Sequence, residues 1–312
     1  MGVPSDPLRV GTRGSALALA QTGQLCAALA ERHPGLGIET VIIRTSGDRM
    51  TQGALAPVGG KGLFVKELEE ALADRRIDCA VHSMKDMPAQ LPAGLCIAAS
   101  PEREDPRDAF LSHSAERLEE LAPRARLGTA SLRRQAQSLH HRPDLDIELL
   151  RGNVDTRLAK LDSCQVDAVL LAHAGLKRLG LGHLSRSLID PVERPPAPGQ
   201  GALAIETRED DCNLAWVRAL RHEPTMIAVT AERGALTALE ASCKTAVGAH
   251  AWLEGGVLKL VVEALTSDGR ERFRHTGETE IAQLADPAAS ARDLGLSLGL
   301  AVRDAAGDAL GT

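Results

Sequence analysis

The feature that most constrains the fold of this 312-residue chain is an alternation of short apolar runs with segments of helical periodicity. Residues 8–11 and 38–44 are rich in aliphatic and β-branched side chains and predict strands. Residues 15–32 between them place apolar side chains on one helical face. The same rhythm begins again at residue 126. Such alternation is typical of parallel sheets with crossover helices, so two series predict two α/β lobes.

The remaining elements of the two lobes extend this pattern. Strands are predicted at residues 78–84, 126–128, 147–151, 167–172 and 202–206, and helices at residues 62–75, 131–140 and 154–161. A charged stretch with two prolines at residues 100–107 separates the lobes, and a proline-rich stretch at 191–201 carries the chain back. We therefore expect the strand at 202–206 to rejoin the first lobe.

The pattern changes at about residue 224. A helix to about residue 240 precedes predicted strands at 247–253, 257–265 and 272–275 and a closing helix at 288–309. This order predicts a small α+β domain at the C-terminal end. The predicted domains are residues 1–101 with 202–219, residues 107–195, and residues 224–312.

Composition excludes several classes of function. Only 2% of the residues are aromatic, which leaves few side chains to stack on single-stranded nucleic acid, and the net charge of −6 is unlike that of a polyanion-binding protein. We find no apolar run near the ~18 residues of a membrane helix and no secretory signal. The six cysteines form no CxxC pair and lie at no metal-ligand spacing to histidine. We expect a cytoplasmic protein with no metal, no membrane and no nucleic acid as partner.

Basic residues follow the carboxyl ends of several predicted strands. They are Arg13, Arg133, Arg134, Arg151, Arg157, Lys177 and Arg178. Ligands of open α/β sheets bind at this edge, where helix N-termini and guanidinium groups favour anions. An arginine-rich composition could also scatter such residues over solvated faces. Five or six basic residues at the ends of successive strands instead predict a ligand with several carboxylates or phosphates.

Two further positions carry candidate chemistry. Lys85 and Asp86 lie side by side where a predicted strand ends. They form either a solvated ion pair in a surface turn, or a pair in which Lys85 holds an anion while Asp86 stabilises a developing cation or moves protons. Cys243 follows the first helix of the C-terminal domain beside Lys244, which favours the thiolate. A structural role for this cysteine is the alternative.

The glycine-rich segment at residues 45–62 is not a nucleotide site. It does not match the GxxxxGK[ST] pattern of phosphate loops, and GxGxxG, GxSxG and HExxH are also absent from the chain. The segment instead predicts a mobile lid with Lys61 near its end.

Nine motifs occur in one order over nearly the whole chain. They are VGTRGSALALAQ (10–21), GGKGLFVKELE (59–69), AVHSMKDMP (80–88), EREDPRDAF (102–110), SLRRQAQ (131–137), LRGNVDTRL (150–158), AGLKRLG (174–180), PAPGQGALAIE (196–206) and VTAERGAL (229–236). Together they resemble the porphobilinogen deaminase family, also called hydroxymethylbilane synthases. Each motif alone is modest, but nine in order are highly specific.

The resemblance implies a transferase of tetrapyrrole and haem biosynthesis. Such an enzyme joins four porphobilinogen molecules head to tail, releases ammonia each time, and frees hydroxymethylbilane by hydrolysis. It builds on a permanent dipyrromethane primer, here implied to be linked through a thioether to Cys243. The implied fold has two lobes like type II periplasmic binding proteins and a small α+β third domain, and a monomer is expected.

Matching the family's motifs onto this chain implies a role for each site residue. Asp86 would be the catalytic carboxylate, contacting pyrrole nitrogens and stabilising the cation left when ammonia departs. The implied cofactor-binding residues are Cys243, Lys85, Asp86, Thr129, Ser131, Arg133, Arg134, Arg151 and Gln200. The implied substrate-binding residues are Arg13, Ser15, Lys61, Arg151, Arg157 and Arg178. Their cations would bind the acetate and propionate groups, two carboxylates per pyrrole.

Some positions depart from the family pattern. Pro57 stands where many relatives have lysine in the lid, Gly14 replaces a larger polar residue, and Ala241-Ser242 precede the cysteine where Gly-Gly is frequent. We expect these changes to affect the lid and the loop more than the activity. The alternatives are a non-catalytic anion receptor of the same two-lobed architecture, a Schiff-base enzyme that uses Lys85, and a relative without turnover.

Overall fold

A computed structural model describes residues 7–46, 64–239 and 245–310 of the chain. The strands in these ranges are β1 Leu8–Thr12, β2 Ile38–Ile42, β3 Cys79–Ser83, β4 Leu95–Ala99, β5 Asp108–Ser112, β6 Arg126–Thr129, β7 Asp146–Leu149, β8 Ala168–Ala172, β9 Ser187–Leu188, β10 Leu203–Arg208, β11 Ala246–Glu254, β12 Val257–Leu265 and β13 Arg272–Glu280. The α-helices are α1 Ala16–Arg32, α2 Lys66–Ala73, α3 Leu132–His141, α4 Val154–Asp162, α5 His173–Arg178, α6 Ala215–Ala219, α7 Glu223–Ala238 and α8 Pro287–Ala306.

The described residues fall into two compact units. The first unit lies within residues 1–104 and 202–226, and the second lies within residues 105–201 and 227–312. The second unit therefore holds both the predicted domain 107–195 and most of the predicted C-terminal domain. The division into three domains stays a prediction.

The first unit is built on a five-stranded sheet in the order β2-β1-β3-β10-β4. Strand β1 runs parallel to β2 and β3, so the carboxyl ends of β1 and β3 share one edge. Strand β10 is antiparallel to both β3 and β4. The strand predicted at 202–206 is present in the first sheet as β10, but the sheet is mixed rather than parallel as expected. Apolar periodicity identifies a segment as a strand but does not fix the direction in which it pairs, and that direction is set by the hydrogen bonds of β10 in the folded sheet.

The second unit repeats this arrangement in a sheet with the order β7-β6-β8-β5-β9. Strand β6 is parallel to β7 and β8, whereas β5 is antiparallel to β8 and β9. The antiparallel strand beside β3 is β10, which comes from much later in the chain, whereas the antiparallel strand beside β8 is β5, which directly precedes β6 in the chain. The predicted α/β lobes are therefore confirmed, with mixed rather than parallel sheets.

Three strands of these sheets were not predicted from the sequence. Strands β4, β5 and β9 are five residues long or shorter. All five residues of β5 are buried, so the strand has no alternation of polar and apolar side chains that would reveal it. It also follows directly on the charged stretch at residues 100–107, which the sequence marks as a connection.

The C-terminal part of the second unit is the predicted α+β module. Strands β11, β12 and β13 form an antiparallel meander, and α7 and α8 contribute apolar side chains to its core. Helix α3 also packs on this sheet, because Ala136 shares a buried apolar cluster with Ala246 and Leu265. This contact joins the α3 region to the C-terminal sheet within one unit.

Helices α7 and α8 approach each other closely through glycine. A Cβ atom added to Gly295 would lie 2.1 Å from the carbonyl oxygen of Ala231, and one added to Gly299 would lie 2.7 Å from that of Ala235. Both distances are shorter than any normal contact, so the two helices pack backbone to backbone at these positions.

Candidate functional site

The shared edge of the first sheet carries three predicted site residues. Arg13 follows β1 directly and is half-buried, with its guanidinium carbon 4.1 Å from the centroid of the Phe64 ring. A 3-10 turn formed by Met84–Asp86 follows β3. In this turn Lys85 is half-buried and Asp86 is exposed to solvent. The parallel pairing of β1 and β3 thus brings Arg13, Lys85 and Asp86 to one edge.

Side chains at the start of helix α1 form hydrogen bonds close to this edge. Ser15 caps the helix by accepting a hydrogen bond from the backbone nitrogen of Ala18 at 3.3 Å. Buried Gln21 donates through Nε2 to the hydroxyl of Ser83 at 2.9 Å, at the residue that precedes the turn. Sequence reasoning did not single out Gln21 or Ser83, although both lie inside motifs that it quoted.

A buried acid–histidine pair joins β3 to β10 close to this turn in the chain, and it was not predicted from the sequence. His82 Nε2 lies 3.0 Å from Glu206 Oε2, which ties β3 to β10, and the side chains are 3% and 0% exposed. Burial raises the pKa of nearby Glu69, and the carboxylate of Glu206 raises it further. Three titratable side chains, those of His82, Glu206 and Glu69, therefore lie close together in the first unit.

The second unit holds a buried ionic cluster centred on Asp108, the first residue of β5. Arg133 donates through Nη1 to Asp108 Oδ2 at 2.8 Å, and Arg134 donates through Nη2 and Nε to Asp108 Oδ1 at 2.7 and 3.1 Å. Gln200 donates through Nε2 to the same Oδ1 at 2.9 Å. The three charged side chains are only 4–6% exposed. Sequence reasoning predicted both arginines and Gln200, but not the carboxylate that holds them.

The charges of this cluster do not cancel. Burial alone would raise the pKa of Asp108, but the charges of Arg133 and Arg134 and their hydrogen bonds outweigh it and hold the pKa well below its ordinary value. One ionised carboxylate therefore faces two guanidinium groups. The N-terminal turn of α3 keeps an excess positive charge, to which the helix dipole adds.

Thr129 and Ser131 lie at the end of β6, beside this cluster. The backbone nitrogen of Ser131 donates to Thr129 Oγ1 at 3.1 Å, and the Ser131 hydroxyl caps α3 by accepting from the backbone nitrogen of Arg134 at 3.4 Å. Thr129 is buried, whereas Ser131 is half-buried. Both hydroxyls therefore help to shape the β6–α3 turn.

Three other predicted arginines lie nearer the solvent. Arg151 is exposed two residues beyond β7. Arg157 in α4 is half-buried and donates through Nε to the carbonyl of Gly152 at 3.0 Å. Arg178 ends α5 and donates through Nη2 to the carbonyl of Gly201 at 2.8 Å. They follow the carboxyl ends of β7 and β8, as the sequence predicted.

Two predicted site residues, Lys61 and Cys243, lie outside the described residues, as do most of the predicted lid and Pro57. The five described cysteines are free thiols. Cys79 is fully buried, and burial raises its thiol pKa, whereas Cys164 is exposed. In the part of the chain that the structure describes, no helix is both long and apolar enough to span a membrane. The same part shows no cluster of His, Cys, Asp and Glu arranged to hold a metal ion.

Two family profiles match the chain. The profile described as "Porphobilinogen deaminase, dipyromethane cofactor binding domain" matches residues 8–215, and the profile described as "Porphobilinogen deaminase, C-terminal domain" matches residues 226–304. The chain belongs to the porphobilinogen deaminase family. Asp86 and the Asp108 cluster fall in the first of these family domains, and position 243 falls in the second.

Relatives of this family match over nearly the whole chain. A porphobilinogen deaminase of Phenylobacterium zucineum is 64% identical over 99% of this chain and 99% of its own length. Those of Caulobacter sp. strain K31 and Syntrophobacter fumaroxidans are 61% and 46% identical, over 98% and 95% of this chain and 98% and 94% of their own lengths. Among solved structures, the methionine-binding protein MetQ is 16% identical, covers 68% of this chain and 87% of its own, and has a TM-score of 0.44.

Proposed function

We propose that this chain is a porphobilinogen deaminase that joins four porphobilinogen units head to tail with loss of ammonia and then releases hydroxymethylbilane by hydrolysis. The observation that carries the proposal is the match of both family domains, over residues 8–215 and 226–304. The enzyme is then a transferase that forms carbon–carbon bonds between pyrroles. We further propose that it works in the cytoplasm as a monomer, with porphobilinogen as its small-molecule partner.

The side chains of the second unit suit a dipyrromethane that carries acetate and propionate groups. Arg133 and Arg134 present two positive charges to the single carboxylate of Asp108, and the surplus charge favours a further anion. Exposed Arg151 and the hydroxyl of Ser131 offer further donors. When bound, the cofactor supplies the pyrrole to which substrate units are added.

We assign the attachment of this cofactor to Cys243. A thioether requires a sulfur nucleophile, and Lys244 beside it favours the thiolate. Strand β11 begins three residues later and is anchored to the proline-rich segment, because the backbone nitrogen of Ala249 donates to the carbonyl of Pro196 at 2.9 Å. The cysteine therefore precedes a strand that is firmly held in the second unit.

Asp86 is the proposed catalytic carboxylate. The backbone around its turn is fixed, because the nitrogen of Met84 donates to the carbonyl of Ala202 at 3.0 Å and the nitrogen of Met87 donates to that of Met84 at 3.1 Å. A carboxylate held in place stabilises positive charge on the substrate as ammonia leaves. It can also accept a proton from the attacked ring and return one to the leaving group.

The remaining predicted residues bind substrate carboxylates in this proposal. Arg13 and Ser15 act from the β1–α1 turn of the first unit, and Lys61 acts from the predicted lid. Arg157 and Arg178 act from α4 and α5 of the second unit. Each guanidinium can take a carboxylate in a two-point hydrogen bond, which fits a substrate with two acids per ring.

Intact mass spectrometry of the purified protein tests the proposal. We expect the parent protein to carry an excess mass equal to two porphobilinogen-derived units, and Cys243→Ser to lack it. Cys164→Ser is the matched control, since it removes an exposed thiol and should keep the adduct. Incubation with porphobilinogen should then add further units and release ammonia.

The alternative of a non-catalytic anion receptor predicts a different result. A receptor would bind porphobilinogen without a gain of covalent mass and without ammonia release. If the parent protein gains no adduct after incubation, or if Cys243→Ser still gains one, the proposed reaction or the proposed anchor is wrong.

A further inference from the structure

Gln137 connects Arg133 to the C-terminal sheet. It lies one helical turn after Arg133 in α3, and its Oε1 accepts a hydrogen bond from Arg133 Nη1 at 2.8 Å. Its Nε2 donates to Glu263 Oε1 at 2.6 Å and to the carbonyl of Pro195 at 2.8 Å. Gln137 is 5% exposed and Glu263 in β12 is fully buried. The buried amide of Gln137 therefore forms three hydrogen bonds.

Glu263 is itself held by charges from the neighbouring strand. Arg272 in β13 donates through Nε to Glu263 Oε2 at 2.8 Å, and its Nη2 lies 2.6 Å from the same oxygen in an ion pair. Arg274 Nη1 lies 3.6 Å from that oxygen. Arg272 also donates to the carbonyl of Glu193 at 2.6 Å. The position of the Glu263 carboxylate is thus set by the C-terminal sheet rather than by solvent.

The position of the Arg133 guanidinium depends on these contacts. Its Nη1 donates to Asp108 Oδ2 at 2.8 Å, to Gln137 Oε1 at 2.8 Å and to the carbonyl of Pro195 at 3.2 Å. Its Nε is buried and has no hydrogen-bond partner among the described residues. Because the hydrogen bonds to Asp108, Gln137 and Pro195 all converge on one nitrogen, the loss of one acceptor would weaken the restraint on the orientation of the guanidinium.

We propose that Gln137 and Glu263 are positioning residues that set the Arg133 guanidinium for a pyrrole carboxylate. They couple the C-terminal domain, which carries Cys243, to the arginine pair of α3. The inference rests on the proposed function, because it assumes that Arg133 binds a cofactor or substrate carboxylate. The inference goes further in that the orientation of Arg133 depends on Gln137 and Glu263, which lie 126 positions apart in the chain.

Two substitutions on the same helix separate positioning from general packing. Gln137→Leu removes the acceptor for Arg133 and the donor to Glu263 and to the carbonyl of Pro195. Gln135→Leu is the matched control, because Gln135 donates to the carbonyl of Ser267 at 3.1 Å and so also links α3 to the C-terminal domain, without contact to Arg133. We expect Gln137→Leu to lower kcat/KM for porphobilinogen about tenfold, and Gln135→Leu to stay within about twofold of the parent.

An exchange of the amide and the carboxylate provides the rescue test. Gln137→Glu alone places two carboxylates at the 2.6 Å contact and should impair the enzyme at least as much as Gln137→Leu. In the double variant Gln137→Glu with Glu263→Gln, the exchanged side chains can hydrogen-bond again and Arg133 keeps its acceptor, whereas the carbonyl of Pro195 loses the Gln137 donor and Arg272 loses its charged partner. We therefore expect the double variant to be more active than Gln137→Glu without reaching the activity of the parent.

The assays are steady-state kinetics with porphobilinogen, the melting temperature, and the fraction of purified protein that carries the covalent adduct by intact mass. We expect that fraction to fall in Gln137→Leu and to recover partly in the double variant. If Gln137→Leu changes only the melting temperature, or if the folded double variant stays as impaired as Gln137→Glu, the positioning role is wrong. If Gln137→Leu does not fold, the comparison of Gln137→Glu with the double variant decides.

A variant of the arginine itself separates this inference from the proposed function. Arg133→Lys keeps a charge but loses the forked geometry, and should impair turnover strongly if Arg133 binds a carboxylate. Unchanged turnover in Arg133→Lys would remove the assumed role of that arginine. Impaired turnover in Arg133→Lys together with normal kinetics and a normal adduct fraction in Gln137→Leu would overturn the positioning inference alone.

Discussion

Replacing Asp108 by asparagine is the sharpest test of the ionic cluster in the second unit. The carboxylate is 4% exposed and accepts from Arg133 at 2.8 Å, from Arg134 at 2.7 and 3.1 Å, and from Gln200 at 2.9 Å. Asp108→Asn keeps the shape of the side chain and one acceptor oxygen, but removes the negative charge. It also turns an amide NH₂ group toward donors that need an acceptor.

The expected loss of stability is large because two buried cations lose their partner. Removing one member of a buried ion pair typically costs about 3–5 kcal/mol, since the remaining charge stays desolvated. For a folding unit of 150–250 residues this corresponds to a fall of roughly 6–20 °C in the melting temperature. The outer hydrogen bonds of Arg134 to Leu170 and of Arg133 to Pro195 do not supply the missing charge.

The pH dependence of this difference has a definite sign. Because the pKa of Asp108 is lowered in the folded protein, the carboxylate stabilises the fold fully above its unfolded-state pKa of about 3.9. That stabilisation is lost as the pH falls from this value toward the folded-state pKa. The asparagine does not titrate, so the difference between the parent and Asp108→Asn should be constant near neutral pH and shrink below about pH 4.

Scanning calorimetry and urea unfolding of the full chain measure these effects. Asp167→Asn is the matched control, because Asp167 accepts from the backbone nitrogen, Nε and Nη2 of Arg126 with similar geometry, but the two side chains are 35% and 41% exposed. We expect only a small change in the control, since solvent screens its charges. A loss in Asp108→Asn no larger than that in Asp167→Asn would refute the argument from burial.

Three further outcomes are expected. Asp86→Asn should lower turnover about 10²–10³-fold with an unchanged melting temperature, because the carboxylate is exposed; near-normal turnover in a steady-state assay would exclude a catalytic role. Gly295→Ala should destabilise the fold by about 1–3 kcal/mol, because the added Cβ atom would lie 2.1 Å from a backbone oxygen. Gly23→Ala, with open space around it, should stabilise the fold by about 0.5–1 kcal/mol through helix propensity. Urea unfolding of both variants distinguishes the two effects. Alkylation of the native protein at neutral pH should label exposed Cys164 and spare Cys79, whose pKa is raised by burial; peptide mapping that finds Cys79 labelled first would contradict its burial.

Local signals in the sequence account for most of the predicted elements. Ser15, Ser131 and Asn153 each cap the helix that follows, and the side-chain oxygen of each accepts from a backbone nitrogen three residues ahead. Strand β13 is longer than predicted, because its exposed edge position leaves a polar sequence with little apolar periodicity. Strand β5 was missed for the opposite reason: all of its residues are buried, so polar and apolar side chains do not alternate with exposure.

In the candidate site, too, the sequence predicted some residues and missed others. The sequence predicts the positions of Asp86, Arg133 and Arg134, because strand ends and quoted motifs mark them within a few residues. It did not predict that Asp108 neutralises one of the two arginine charges. It also did not predict that Gln137 links Arg133 to Glu263, because each side chain has an ordinary polar identity in its own segment.

What the sequence by itself determined is therefore the longer helices and most strands, but not the short helices α5 and α6, together with the membership of the porphobilinogen deaminase family and the edges where charged side chains gather. Only the tertiary structure decided that β10 runs antiparallel between β3 and β4, and that residues 25 to 126 positions apart share one buried ionic network. The physical reason is the distance along the chain over which each interaction acts. Caps and periodicity act over a single helical turn or strand, whereas a buried charge is stabilised by partners that only the folded chain brings within hydrogen-bond distance.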